Sequence, residues 1–142
     1  MIVEQILRQK GRDVHTIAPL ASIIDAVAAM EEHGIGALVV CEGREVKGII
    51  SERDIIHAIA RSGTDSLRGP VTSLMTRDVV TCKPGDAVND IMSIMTEMRI
   101  RHLPVVSGRR LLGLISIGDV VKQRIGEVEQ EADAMRAYIV SA

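Results

Sequence analysis

Gly48-Ile49-Ile50-Ser51-Glu52-Arg53-Asp54 returns sixty-five residues later as Gly113-Leu114-Ile115-Ser116-Ile117-Gly118-Asp119. Each copy reads as an apolar strand running into a helix start, with a serine at the turn and an aspartate three residues beyond it. A helix start carries unpaired backbone N–H groups and a partial positive charge, so it is a natural seat for phosphate. The serine hydroxyl can add a hydrogen bond, and the aspartate offers two acceptor oxygens to a cis-diol such as a ribose. The glycine lets the strand backbone approach a ligand or a neighbour closely. Ser-x-x-Asp is also a capping-box pattern, in which the serine caps the helix and the acid returns the bond. Two copies in register with the same preceding glycine favour a ligand turn.

The echo extends outward. A sixty-five-residue offset aligns Thr16 to Ile56 with Thr81 to Val121 without a gap, and fourteen of the forty-one pairs are identical, among them Pro19/Pro84, Asp25/Asp90 and Leu38/Leu103. The chain is a tandem duplication. In each unit Ile23, Ala26, Val27 and Met30, or Val88, Ile91, Met92 and Met95, recur at i, i+3, i+4 and i+7 and predict an amphipathic helix. Ahead of it, Asp13 to Ile17 and Val79 to Cys82 read as short extended strands before Pro19 and Pro84. Ile35 to Cys41 with Val46 to Ile50, and Ile100 to Val106 with Leu111 to Ile115, read as hairpins around Gly43 and Gly108. A second helix follows through Ile55, Ile56 and Ile59, or Val120, Val121 and Ile125. The expected class is therefore α/β (α+β), two β-α-β-β-α repeats with the first two strands of each parallel.

Val3, Ile6 and Leu7 before the first unit are matched in spacing by Val71, Leu74 and Met75 before the second, and both sets read as short lead-in helices. The expected organisation is a lead-in helix over 1–12, repeat 1 over 13–62, a linker with a short helix over 63–78, repeat 2 over 79–125 and a C-terminal helix over 126–142. Val128, Ala132, Met135 and Ile139 lie at helical spacing in that tail and make it a docking helix, for its own chain or for a partner.

Composition narrows the function classes. The chain is 46% apolar yet Tyr138 is its only aromatic residue, so any planar ligand must be gripped by aliphatic faces. Seventeen basic and nineteen acidic residues are well mixed, which provides no basic stripe for a nucleic-acid backbone. No run approaches eighteen apolar residues and no basic segment leads into an apolar one, so the expectation is a cytoplasmic protein without a membrane segment. Cys41 and Cys82 do not form a C-x-x-C pair and read as buried thiols. His15, His33 and His57 are scattered, and no nucleophile-base set, P-loop, metal cluster or carboxylate pair assembles from motifs, which argues against catalysis and against a metal.

With the G-h-x-S-x-x-D pattern in both copies, Thr-x-x-Pro upstream and Ile100-Arg101-His102-Leu103-Pro104-Val105-Val106, the chain resembles a tandem CBS-domain pair, or Bateman module, across about Asp13 to Arg124. In length, lead-in and tail it is similar to the small stand-alone bacterial CBS-pair proteins. The resemblance implies two repeats related by pseudo-twofold symmetry, with two clefts that take adenosine-containing ligands: AMP, ADP, ATP, NAD(H) or S-adenosylmethionine. It implies a regulatory role, a homodimer of pairs and a regulated protein partner; no cofactor is required beyond the bound adenine nucleotide. By motif match, Asp54 and Asp119 would hold ribose hydroxyls and Ser51 and Ser116 would contact phosphate. The strand starts His15-Thr16-Ile17 and Val80-Thr81-Cys82 would lie against the adenine. Repeat 2 has Arg101-His102 where repeat 1 has Gly36-Ala37, and repeat 1 has Arg53 where repeat 2 has Gly118. The Ser51/Asp54 cleft, with Arg53, Arg101 and His102, is therefore expected to be the better phosphate site. The competing reading is a ligand-independent interaction or oligomerisation module, in which both turns are helix caps only.

Overall fold

A computed structural model describes residues 1–141 of the chain; Ala142, the last residue of the expected C-terminal helix, lies outside them. The elements run α1 (Val3–Lys10), β1 (Thr16–Ile17), α2 (Ile23–His33), β2 (Ala37–Glu42), β3 (Glu45–Ser51), α3 (Glu52–Ser62), two 3₁₀ turns (Thr64–Arg68 and Val71–Ser73), α4 (Val88–Met98), β4 (His102–Ser107), β5 (Arg110–Ser116) and α5 (Ile117–Ser141). The five strands form one sheet in the order β1-β2-β3-β5-β4. The order places the two hairpins back to back, as two copies related by a pseudo-twofold axis require. The hairpins meet only at their tips, where Glu45 pairs with Arg110, the Val46 N–H donates to the Arg109 carbonyl at 2.9 Å and the Leu111 N–H to the Arg44 carbonyl at 2.8 Å.

The local reasons for the elements are mostly those visible in the sequence. Ile23, Ala26 and Met30 bury one face of α2, and Val88, Ile91 and Met95 the same face of α4. The two-residue turns Gly43-Arg44 and Gly108-Arg109 close the hairpins. β2 and β4 begin two residues later than expected because the helix ends claim Ile35 and Ile100, whose N–H groups donate to the Met30 and Met95 carbonyls at 3.0 and 3.1 Å.

Three expectations are corrected. Val79 to Cys82 is not a strand; a single parallel bridge joins Cys82 to Val105. In repeat 1, β1 pairs Thr16 with Val39 and Ile17 with Val40. The residue equivalent to Val39 is Pro104, which has no N–H to extend the ladder. The linker holds two 3₁₀ turns rather than one short helix. There is no break near 125/126: α5 runs for 25 residues straight through Gly126, absorbing about 1 kcal/mol of glycine cost.

The packing of the lead-ins, on which the sequence reading is silent, is exchanged between the repeats. Val3, Ile6 and Leu7 of α1 sit in the core of repeat 2 with Val88, Ile91, Leu103 and Ile115. Val71 and Met75 sit in the core of repeat 1 with Ile23, Leu38 and Ile50. Backbone bonds repeat the exchange: the Glu4 N–H donates to the Pro84 carbonyl at 2.8 Å, and the Thr72 N–H to the Pro19 carbonyl at 3.1 Å. The two glycines that open the recurring motif are what make this possible. A Cβ on Gly113 would stand 2.7 Å from a Leu7 methyl, and a Cβ on Gly48 would stand 2.7 Å from the Met75 sulfur and 2.8 Å from the Thr76 carbonyl. Their close approach is thus to the exchanged lead-in of the other repeat.

Candidate functional site

Both Ser-x-x-Asp turns are complete helix caps. At α3 the Ser51 hydroxyl oxygen accepts from the Asp54 N–H at 3.3 Å, while Asp54 Oδ2 accepts from the Ser51 N–H at 2.8 Å and the Ser51 hydroxyl at 3.0 Å. Both bonds to the carboxylate use Oδ2, so Asp54 Oδ1 remains available. At α5 the same geometry recurs, with the Ser116 N–H donating to Asp119 Oδ2 at 2.9 Å and the Asp119 N–H donating to the Ser116 hydroxyl oxygen at 3.2 Å. A cap does not consume the whole carboxylate, and the surroundings of the two aspartates differ.

A cavity of about 180 Å³ opens beside Asp54. Repeat 1 supplies Gly36, Ala37, Ile49, Ser51, Arg53 and Asp54 to its walls. The segment entering repeat 2 supplies Thr76, Asp78, Val79 and Val80, the turn before β4 supplies Arg99, Ile100 and Arg101, and β4 supplies its first residue, His102. Three arginines, together with the acid Asp78, therefore line this cleft. Arg53 donates to the Arg99 carbonyl at 3.3 Å, and Arg101 faces Glu52 at 3.5 Å with both side chains more than half exposed. Neither contact is a strong clamp, so the cations are free to turn toward an anion. Arg99 is also the only residue other than glycine with a positive φ, +53°, among the described residues. It caps α4 in the left-handed conformation that Gly34 adopts at the end of α2. A side chain there costs on the order of 1 kcal/mol or more, and the chain carries a cation at that point of the cleft.

His102 lines this cavity and the second one. Burial, reinforced by the Arg101 guanidinium beside it, holds its imidazole below the usual histidine range. It is thus a neutral hydrogen-bonding group at neutral pH, and the fixed positive charge is that of the arginines.

The second cleft, about 330 Å³, is lined by Lys10, Asp13, Val14, His15, Gly34 to Ala37, His102, Leu114 and Ser116. Its chemistry is already paired. Lys10, at the end of the exchanged helix α1, places its ammonium 2.6 Å from Asp119 Oδ2 and 2.9 Å from the Leu114 carbonyl. Burial pushes the Asp119 carboxyl up, but hydrogen bonds from Lys10 and Ser116 outweigh it and the net shift is downward. His15 lies stacked on His33, with ring centroids 3.7 Å apart.

Of the residues expected at a site, Ser51, Arg53, Asp54, Val80, Arg101 and His102 come together in the first cleft, and His15, Ser116 and His102 in the second. Asp119 stands at the second cleft's edge through its bonds to Lys10 and Ser116. Thr16, Ile17 and Thr81 line neither cavity. Two residues were missed. Arg99 was visible in principle, since the sixty-five-residue offset sets it against Gly34; Lys10 lies outside the repeated segment and leaves no local signal. The thiols are structural: burial pushes Cys82 up to about 12 and raises Cys41 as well, which suppresses thiolate chemistry. Among the described residues no three His, Cys, Asp or Glu side chains are grouped to hold a metal ion, and no helix is long and apolar enough to cross a membrane.

The family model for the CBS domain matches twice, over residues 3–61 and 71–126. The chain belongs to the CBS-domain family, and it is a tandem pair of the Bateman type. It is 38% identical over 123 residues to the mitochondrial CBS domain-containing protein CBSX3 of Arabidopsis thaliana, covering 83% of this chain and 60% of that protein. Among solved structures, the CBS-domain containing protein ATU1752 from Agrobacterium tumefaciens superposes with a TM-score of 0.84 at 45% identity, covering 87% of this chain and 99% of that one. The CBS domain pair of protein MJ0100, solved with 5′-methylthioadenosine and S-adenosyl-L-methionine, superposes with a TM-score of 0.77 at 26% identity over 89% of this chain and 98% of that one.

Proposed function

We propose that this CBS pair is a non-catalytic regulatory module that binds a phosphate-bearing adenosine ligand, AMP, ATP or NAD(H), in the cleft beside Asp54. The observation that carries this reading is the composition of that cleft, which joins a free Asp54 Oδ1 from one repeat to Arg99, Arg101 and Val80 from the other. Asp54 would take the ribose diol, Ile49, Val79 and Val80 would flank the base, and Arg53, Arg99 and Arg101 would face the phosphate, with the Ser51 hydroxyl and the neutral His102 as adjustable partners. A ligand held by both repeats binds best at one angle between them, and it shifts the module toward that angle by its difference in affinity. MJ0100, with its bound 5′-methylthioadenosine and S-adenosyl-L-methionine, supports the adenosine part of the ligand; the phosphate part rests on the arginines of the cleft. The module acts as a homodimer on a regulated protein partner, and its two free, buried cysteines suit a reducing, cytoplasmic setting.

A ligand-independent interaction module remains the second reading, because both Ser-x-x-Asp turns are fully explained as caps. Thermal melting with AMP, ATP, NADH and S-adenosylmethionine separates the two. A ligand that binds only the folded state raises the melting temperature, by about 2.7 kcal/mol of stability at a hundred times its Kd. The phosphate-bearing ligands should shift the midpoint most, and no shift with any of the four at millimolar concentration would leave only the second reading.

A further inference from the structure

Val121, Ile125, Val128, Ala132, Met135 and Ile139 follow one another along α5 at intervals of four, three, four, three and four residues. That is a 3.5-residue repeat, which keeps a narrow apolar seam on one side of a helix, rather than the broader 3.6-residue face that packs on a domain core. The seam is not used by its own chain. Val120 is fully buried and Ile117 packs in the repeat 2 core, but Val121, Ile125 and Val128 are about half exposed, and Met135 and Ile139 are 63% and 68% exposed.

We propose that the seam of α5 pairs with the same seam of a second copy, as a short parallel coiled coil that sets the direction in which two modules join. This rests on the homodimer proposed above and adds its surface and polarity. The flanking charges choose the partner. With Ile125, Ala132 and Ile139 at a and Val121, Val128 and Met135 at d, the g positions hold Arg124 and Glu131 and the e positions hold Glu129 and Arg136. In a parallel pair each g residue meets the e residue five positions on in the other helix, so Arg124 meets Glu129 and Glu131 meets Arg136, both attractive and each formed twice. In a fully overlapped antiparallel pair e meets e and g meets g: Glu129 would face its own copy, Glu131 would face its own copy, and Lys122 would face Arg136. The same charges that bind the parallel pair oppose the alternative. Arg124 and Arg136 now rest on Glu127 and Asp133 in their own helix, at 3.2 and 3.1 Å, as exposed pairs that can exchange partners at little cost.

The test uses single cysteines in the full chain, since Cys41 and Cys82 are buried. Ala132→Cys and Ile139→Cys should each form an intermolecular disulfide under mild oxidation. The two positions are seven residues, or roughly 10 Å, apart along the helix, so an antiparallel pair can bring only one of them opposite itself. Glu131→Arg should weaken the dimer about tenfold in sedimentation equilibrium, and Glu131→Arg with Arg136→Glu should restore it. A dimer that cross-links at neither or only one position, or that Glu131→Arg leaves unchanged, overturns the seam while leaving a homodimer through other surfaces. A chain that sediments as a monomer at tens of micromolar overturns both.

Discussion

The two clefts of this protein begin from one sequence written twice, and they end in different chemical states. Both turn aspartates take their bonds on Oδ2 and leave Oδ1 without a partner, but that of the first turn shares its cleft with three arginines drawn from both repeats. The aspartate of the second turn is held at 2.6 Å by Lys10, a residue that arrives on the helix preceding the other repeat. Duplication copies a turn, but residues that are not copied decide what each turn faces: Arg99 and Arg101 at the first, Lys10 on the exchanged lead-in at the second. The lesson is that a repeated motif sets a local geometry, while the groups around it are set by the positions that do not repeat.

The exchange itself gives the largest expected effect. Leu7 is 1% exposed and sits over Gly113 in the repeat 2 core. Leu7→Ala should cost about 2–5 kcal/mol, read as a lower melting midpoint, and hydrogen exchange should quicken first in β4 and β5. Faster exchange confined to β2 and β3 would mean that the lead-ins serve their own repeats. A Lys10→Ala substitution sharpens the comparison from the other side. It removes the ammonium that pairs the Asp119 carboxylate, so calorimetric titration with AMP should show a second, weaker equivalent per chain; a stoichiometry unchanged from the wild type would mean that Lys10 does not close the second cleft.

The smallest effect is the pH response of His102. Its folded-state value lies below the ordinary 6.5, so the unfolded chain binds a proton that the folded chain refuses as pH falls through 6.5. Stability is therefore lost in that window toward the lower folded value, and is fully present above it. A phosphate in the first cleft favours the protonated ring, so the affinity for AMP should rise, by less than about tenfold, between pH 7.5 and 6, relative to the same titration of His102→Gln. Parallel pH profiles for the two proteins would place His102 away from the phosphate.

The sequence made the repeat, the helices, the hairpins and the turns legible because each is a local pattern and each occurs twice. It also marked Arg53, Arg101 and His102 through their failure to repeat. The single bridge at Cys82 was readable in hindsight from Pro104 facing the place that Val39 fills. The exchange of α1 and the Val71–Met75 segment was not readable, since both sets have the same spacing and that spacing does not say which core each one enters. Lys10 followed that loss, because its position beside Asp119 exists only through the exchange. The heptad in the tail was legible as a helical face, and its exposure along a continuous α5 shows that its own chain leaves the seam open.

The inequality of the clefts is tested most directly by titrating AMP into the wild-type protein, Asp54→Ala and Asp119→Ala in the calorimeter. Loss of a hydrogen bond to a charged acceptor costs about 1.5–3 kcal/mol, so Asp54→Ala should bind roughly tenfold to more than a hundredfold more weakly, and Asp119→Ala should keep the wild-type affinity of the strong site. Equal losses in the two variants, or no loss in either, would contradict it.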